Sequence, residues 1–91
     1  MNDANIRDIA VNALQSIAPE ANLAELQPDA RIRDQLDIDS MDFLNFIIAI
    51  HKELQIEIPE RDYPKLATLN GCVRYVSETF ARQSSHTGGR G

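Results

Sequence analysis

Apolar residues recur at spacings of three and four in several stretches of this chain, the pattern of helices that bury one face. The first stretch predicts a helix over residues 3–17, and Pro19 ends it because the residue before a proline disfavours helical dihedral angles. The buried stripe of this helix is predicted to be Ile6, Ile9, Ala10, Ala13, Leu14 and Ile17. Because such stripes must pack on other helices, the pattern predicts an all-α fold.

A second helix is predicted over residues 40–54, with Asp39 or Ser40 as its N-cap and Asp42 in its first turn. Its apolar residues cover too wide an arc for a single contact face, so we divide them into two sets. The predicted core face contains Phe43, Phe46, Ile47, Ile50 and Leu54. The other set, called the second ridge below, contains Met41, Leu44 and Ile48.

The rest of the chain predicts two further helices joined by irregular segments. Residues 18–39 form a long connection with isolated apolar anchors, and loops of this length are often functional. Residues 55–59 predict an extended connection, and Pro64 restricts residues 60–66 to a short, irregular third helix. Thr68 can cap a fourth helix, whose stripe is Leu69, Cys72, Val73, Val76 and Phe80. We therefore predict one domain over residues 1–82 and a disordered tail over residues 83–91, which lacks apolar anchors.

Composition narrows the class of protein. A chain of 91 residues with 43% hydrophobic residues predicts one small domain, and its formal charge of −5 disfavours a nucleic-acid partner. No apolar run approaches the roughly 20 residues that span a bilayer, so no membrane span is expected. The first residues do not resemble a signal peptide, and one cysteine cannot form an internal disulfide. We therefore expect a cytoplasmic monomer.

Few residues favour catalysis or metal binding. Cys72 lies on the apolar stripe of the fourth helix and is predicted to be a buried thiol. His51 falls in the apolar sector of the second helix, where an interface role is favoured over a catalytic one. A cluster of acids around the start of that helix predicts a solvated rim: Asp34, Asp37, Asp39 and Asp42. With no glycine-rich phosphate loop and no Ser/His/Asp arrangement, the sequence does not predict an enzyme or a metal site.

The segment Asp39-Ser40-Met41, taken alone, is an ordinary helix cap. In its context, however, the chain resembles the acyl carrier protein family over about residues 3–82. In that family a long helix and a long loop lead to an Asp-Ser-Leu motif, followed by an apolar helix, an Ile-Pro step, a short third helix and a threonine-capped fourth helix. The Ile-Pro step corresponds here to Ile58-Pro59, and the threonine to Thr68. The resemblance implies a four-helix bundle of acyl-carrier type.

The resemblance also implies a function for Ser40. This residue, beside Asp39, would carry 4′-phosphopantetheine derived from coenzyme A, whose thiol holds an acyl group as a thioester, and the protein itself would not catalyse a reaction. It implies an acyl pocket at Phe46, Ile50, Ile58, Tyr63 and Leu66. It implies partner recognition by Met41, Asp42, Leu44, Asn45, Ile48, His51 and Lys52.

Several positions depart from the family pattern. Asn45, His51 and Lys52 stand where acids are usual, and Asp37 stands where a glycine is usual. Tyr63 occupies a position that is often small in the family, which implies a narrow or reshaped acyl pocket.

Three functions remain open at this point. The first is a carrier for fatty-acid-like or polyketide-like biosynthesis, with a phosphopantetheinyl transferase and acyl-loading, condensing or acyltransferase enzymes as partners. The second is a carrier for an amino acid or another specialised acid. The third is an unmodified helical adaptor for protein interactions.

Overall fold

The computed structural model describes the backbone of residues 2–90 and the side chains of residues 2–82. Its α-helices are α1 (Asp3–Ile17), α2 (Ile32–Gln35), α3 (Ser40–Leu54) and α4 (Leu69–Arg90), with short 3-10 helices at Leu23–Glu25 and Glu60–Leu66. No β-strand forms within residues 2–90, where Arg31 and Thr68 make only an isolated bridge. The all-α prediction is confirmed, and the predicted short third helix is the 3-10 helix at Glu60–Leu66.

Helix α1 has the bounds that its apolar spacing predicts. The side chain of Asn2 accepts a hydrogen bond from the Asn5 amide at 2.8 Å and caps the start of the helix. The Ala18 amide donates to the Leu14 carbonyl at 2.8 Å and closes its last turn. The helix packs against both α3 and α4. Its fully buried residues are Ile6, Ala10 and Leu14, and Ile9, Ala13 and Ile17 are partly buried.

Helix α3 divides into the two sets of apolar residues that the sequence predicts. Phe46, Ile47, Ile50 and Leu54 are buried in the core, and Phe43 packs partly against it. On the second ridge, Met41 is 64% exposed and Ile48 is 38% exposed. The core therefore uses only one side of this helix, and apolar side chains on the other side remain in contact with solvent.

The end of α3 depends on a histidine that the sequence did not single out as structural. Gln55 adopts a left-handed backbone conformation with φ of 55°, at a cost of about 1–2 kcal/mol for a residue with a side chain. Nδ1 of the half-buried His51 lies 2.5 Å from the carbonyl oxygen of Ile56, just beyond this turn. The Ile56 amide in turn donates to the His51 carbonyl at 3.3 Å. His51 therefore helps to hold the chain as it leaves the helix.

The long connection between α1 and α3 is anchored to the core, as predicted. Ile32 and Leu36 are buried, and Leu23, Leu26 and Ile38 pack partly against the core. The sequence did not predict the single turn of α2 within it. This turn is held by a long-range hydrogen bond from the Ile32 amide to the Ala67 carbonyl, at 2.8 Å.

Asn70, in the first turn of α4, joins three parts of the fold. Its side-chain oxygen accepts a hydrogen bond from Arg7 of α1 at 3.1 Å. Its side-chain nitrogen donates to Asp29 of the connection at 2.6 Å. The connection is therefore fixed to the bundle by polar contacts as well as by buried apolar side chains.

The 3-10 helix at Glu60–Leu66 packs against α4. The Tyr75 hydroxyl donates to a carboxylate oxygen of Asp62 at 2.8 Å, and Lys65 lies 3.4 Å from that carboxylate. The hydrogen bond from Tyr75, followed by the interactions with Lys65, lowers the pKa of Asp62 below its ordinary value. Since Pro64 prevents regular α-helical bonding here, this contact with α4 helps to hold the segment in place.

Cys72 is fully buried, which confirms the predicted buried thiol. Burial raises the pKa of this thiol from its ordinary 9.0 to about 12. Burial, followed by the hydrogen bond to Asp62, also raises the pKa of Tyr75 from 10.0 to about 12. Both groups are therefore neutral in the folded protein at neutral pH.

These raised pKa values predict a loss of stability in alkali. A group with a higher pKa in the folded state stabilises that state fully below its unfolded pKa, and the effect is lost as the pH rises through the folded pKa. We expect the midpoint of urea unfolding to fall between about pH 9 and pH 12. Cys72→Ala should reduce the change that begins near pH 9, and Tyr75→Phe the change above pH 10. A midpoint independent of pH across this range would contradict the prediction.

The backbone of α4 continues to Arg90, and the side chains of residues 83–90 and the whole of residue 91 lie outside the described part. The predicted tail falls on these residues, so the tail and the domain boundary at residue 82 stay predictions. Among the residues that the structure describes, no helix has both the length and the apolar character needed to cross a membrane.

Candidate functional site

The start of α3 is defined by two aspartates that cap each other's backbone. Oδ1 of Asp39, the N-cap residue, accepts a hydrogen bond from the Asp42 amide at 2.9 Å. Oδ2 of Asp42 accepts one from the Asp39 amide at 3.3 Å. This reciprocal arrangement is a capping box, with the shorter aspartate in place of the usual glutamate or glutamine. It shows that Asp39, and not Ser40, is the N-cap.

Ser40 is the first residue of α3, and it is exposed. Within residues 2–82, no side-chain hydrogen bond engages its hydroxyl, since the capping is done by its neighbours. The N-terminus of a helix carries partial positive charge and free backbone amides, which favour an attached phosphate. The position therefore fits a hydroxyl that an enzyme can reach and convert to a phosphodiester.

The residues predicted for partner recognition lie along α3 from this point. Met41, Asn45, Ile48 and Lys52 are exposed, and Asp42 and Leu44 are half-buried. His51 is also half-buried, but its ring contacts the Ile56 carbonyl. Most of the predicted set therefore presents side chains to solvent, and His51 has a structural contact in addition.

The acids that the sequence grouped near this helix do not form one site. Asp34 is exposed and pairs with Arg31 at 3.1 Å, Asp37 is exposed, and Asp39 and Asp42 serve the helix cap. Among the described residues, no group of histidine, cysteine, aspartate or glutamate side chains is arranged to hold a metal ion.

A cavity of about 430 Å³ opens beside the start of α3, between the long connection and the 3-10 helix at Glu60–Leu66. Of the five residues predicted for an acyl pocket, Tyr63 lines this cavity. Phe46, Ile50 and Leu66 are instead fully buried in the core, and Ile58 packs partly against it. The cavity is lined by Arg31, Arg33, Asp34, Ile38, Phe43, Tyr63, Pro64 and Ala67.

Sequence reasoning missed most of these lining residues. Arg31 and Arg33 belong to the connection, where no periodicity shows which way a side chain faces. One signal in the sequence could have identified lining residues. Ile38 lies two residues before Ser40 and Phe43 three residues after it, so both lie close to the predicted attachment site.

Comparison with known proteins agrees with this geometry. The model of the family described as "Phosphopantetheine attachment site" matches residues 6–76. The acyl carrier protein of Chlorobium luteolum is 28% identical over 76 residues, which cover 84% of this chain and 96% of that protein. The acyl carrier protein of Campylobacter hominis is 32% identical over 71 residues, which cover 78% of this chain and 84% of that protein. That of Wolinella succinogenes is 29% identical over 72 residues, covering 79% and 88% respectively.

The fold and the site together define a small helical protein that presents one serine hydroxyl at the start of a helix. Since the family model covers well over half of the sequence, the chain belongs to the phosphopantetheine attachment family, and it is similar to acyl carrier proteins along most of its length. The prosthetic group of this family is 4′-phosphopantetheine.

Proposed function

We propose that this protein is an acyl carrier that holds acyl intermediates as thioesters on a 4′-phosphopantetheine group attached to Ser40. The observation that carries the proposal is the exposure of Ser40 as the first residue of α3, directly after the capping Asp39. The pathways that we favour are fatty-acid-like or polyketide-like biosynthesis. The test is the intact mass of the protein after incubation with coenzyme A and a phosphopantetheinyl transferase.

The attachment step requires little from the protein beyond an accessible hydroxyl. Oγ of Ser40 forms a bond to the pantetheine-bearing phosphorus of coenzyme A, the bond to adenosine 3′,5′-bisphosphate breaks, and the hydroxyl proton passes to a base of the transferase. The N-terminus of α3 favours the negative charge of the resulting phosphodiester. When bound, the group supplies a terminal thiol, and this chain contributes presentation and recognition rather than catalysis.

We further propose that partner enzymes dock on the second ridge. Met41 directly follows Ser40, and Ile48 lies about two helical turns beyond it. Both leave apolar surface in solvent, and such surface contributes affinity when a partner covers it. Asp42 lies near one end of this surface and Lys52 at the other, so the surface presents opposite charges along the helix. A cognate enzyme would therefore combine an apolar patch with an acidic or neutral group opposite Lys52.

Two substitutions test this docking surface. Leu44→Ala should lower the rate of acyl loading by about fivefold to tenfold, because truncation removes apolar contact at the centre of the ridge. Lys52→Glu should slow loading by the cognate enzyme and improve loading by a generic fatty-acid enzyme with a basic docking patch. The measurement is the loading rate with each enzyme at two salt concentrations, since salt screens the charge effect and not the apolar one.

Arg74→Glu is the matched control, because it reverses an exposed cation on α4 instead of α3. If neither Leu44→Ala nor Lys52→Glu changes either rate relative to this control, the second ridge is not the docking surface.

We also infer a cytoplasmic, monomeric protein without catalytic activity of its own. Its acidic composition and single buried cysteine, and the carrier relatives described above, support this inference. The alternatives are a carrier for an amino acid or another specialised acid, and an unmodified adaptor. The loading experiments distinguish both from the proposed acyl carrier.

A further inference from the structure

The cavity described above begins within one helical turn of Ser40. Ile38 precedes Ser40 by two residues and Phe43 follows it by three, and both residues line the cavity. A chemical group attached to the Ser40 hydroxyl therefore starts near the cavity entrance. This proximity makes the cavity a place where cargo attached through Ser40 can bind without leaving the protein.

The charge of the cavity is opposite to that of the whole protein. The chain has a formal charge of −5, but the charged residues that line the cavity are Arg31, Arg33 and Asp34. Arg31 pairs with Asp34, with Nε 3.1 Å from a carboxylate oxygen. No ion pair to Arg33 occurs within residues 2–82. Arg33 is exposed at the edge of the cavity, and its guanidinium retains its donors, whose fixed geometry matches a carboxylate.

The remaining lining is largely apolar and comes from two sides. Ile38, just before α3, and Phe43, near its start, contribute from one side, and Tyr63, Pro64 and Ala67 contribute from the opposite segment. Apolar walls with two arginines, of which Arg31 is already paired with Asp34, suit a ligand that has methylene groups and a negatively charged end.

Both sides of the cavity are held by hydrogen bonds outside it. The Ile32 amide donates to the Ala67 carbonyl at 2.8 Å and joins the connection to the segment opposite. The Tyr75 hydroxyl donates to Asp62 at 2.8 Å and fixes the residue that precedes Tyr63. Because the walls are organised before any ligand enters, binding costs less conformational entropy than it would in a loose cleft.

We propose that this cavity binds an acyl group that bears a second carboxylate, and that Arg33 is the specificity-determining residue that pairs with it. The proposal rests on the proposed function, because it requires the acyl group to be attached through Ser40. It selects among the substrates of an acyl carrier, since a fully aliphatic acyl group of the same length leaves the Arg33 guanidinium without a charged partner.

The test compares two six-carbon acyl groups that differ in the terminal group, a carboxylate in adipoyl and a methyl group in hexanoyl. Ser40 is loaded from adipoyl-coenzyme A or hexanoyl-coenzyme A by a promiscuous phosphopantetheinyl transferase, and intact mass verifies each product. We then measure the rate at which hydroxylamine cleaves each thioester, relative to the same thioester of free coenzyme A. Binding in the cavity protects the adipoyl thioester, so we expect it to be cleaved about fivefold more slowly than the hexanoyl thioester.

In the Arg33→Gln variant, the adipoyl and hexanoyl thioesters should be cleaved at equal relative rates. The matched change Arg74→Gln on α4 should leave the fivefold difference in place. Equal rates in the loaded wild-type protein would overturn the cavity proposal and leave the proposed function intact. Failure to load Ser40 would overturn both. The phosphodiester on Ser40 is the other anion that Arg33 could bind. We therefore compare the NMR resonance of Arg33 Nε in the unmodified protein, in the protein that carries phosphopantetheine without an acyl group, and in the adipoyl form. If the form without an acyl group already shows the full shift, Arg33 binds the phosphate and the proposal is wrong.

Discussion

Incubation of the protein with coenzyme A and a promiscuous phosphopantetheinyl transferase is expected to add one group of about 340 Da to Ser40. The expectation follows from the position of the side chain, which is exposed at the first residue of α3 and takes no part in the cap. The outcome is all or none for each molecule, so intact mass spectrometry measures it directly. Peptide mapping then assigns the modified residue.

Ser40→Ala is an informative variant because it removes the acceptor without weakening the helix start. The cap depends on the Asp39 and Asp42 carboxylates, and alanine is a favourable residue in a helix. The variant should therefore fold normally and gain no mass. Ser16→Ala, which changes an exposed serine on α1, should be modified like the wild-type protein. A mass gain in Ser40→Ala would contradict the assignment, and no gain in the wild-type protein would favour the unmodified adaptor.

The second large effect is expected from Phe46→Ala. Phe46 is fully buried and is the largest of the fully buried side chains, on the helix that packs against α1. Its truncation should lower the free energy of unfolding by about 3–5 kcal/mol, through lost burial and the cavity left behind. Small domains are stable by only about 5–15 kcal/mol, so this loss should be evident in urea denaturation followed by circular dichroism.

Met41→Ala provides the matched control on the same helix. Met41 is 64% exposed, so its truncation should change the free energy of unfolding by less than about 0.5 kcal/mol. Together the two variants test the division of α3 into a core face and the second ridge. Similar losses in both variants would mean that the second ridge is also packed in solution.

Much of the fold was predictable because its signals are local. The apolar spacing and the pre-proline stop set the bounds of α1, and the aspartates beside Ser40 mark the start of α3. The same periodicity separated Phe46 from Met41, since residues on opposite sides of a helix differ in burial. Pro64 predicted the irregular segment for an equally local reason.

The candidate site divides between local and long-range information. The position of Ser40 at a helix start could be predicted from its neighbours, as could the apolar character of the second ridge. The roles of His51 and Tyr75 could not, since each depends on an atom brought close by the folded chain: the Ile56 carbonyl for His51 and the Asp62 carboxylate for Tyr75. The single turn of α2 likewise depends on the Ala67 carbonyl, which lies far along the chain from Ile32.

The sequence by itself determined the helices, the buried stripes and the serine at the start of α3, because these follow from spacing and capping within a few residues. Only the tertiary structure decided that Arg33 lines the same cavity as Phe43 and Tyr63. Periodicity reports which face of one element is apolar, but it carries no information about which distant segment packs opposite that face. The cavity exists because contacts between segments hold the connection and the 3-10 helix on either side of the start of α3.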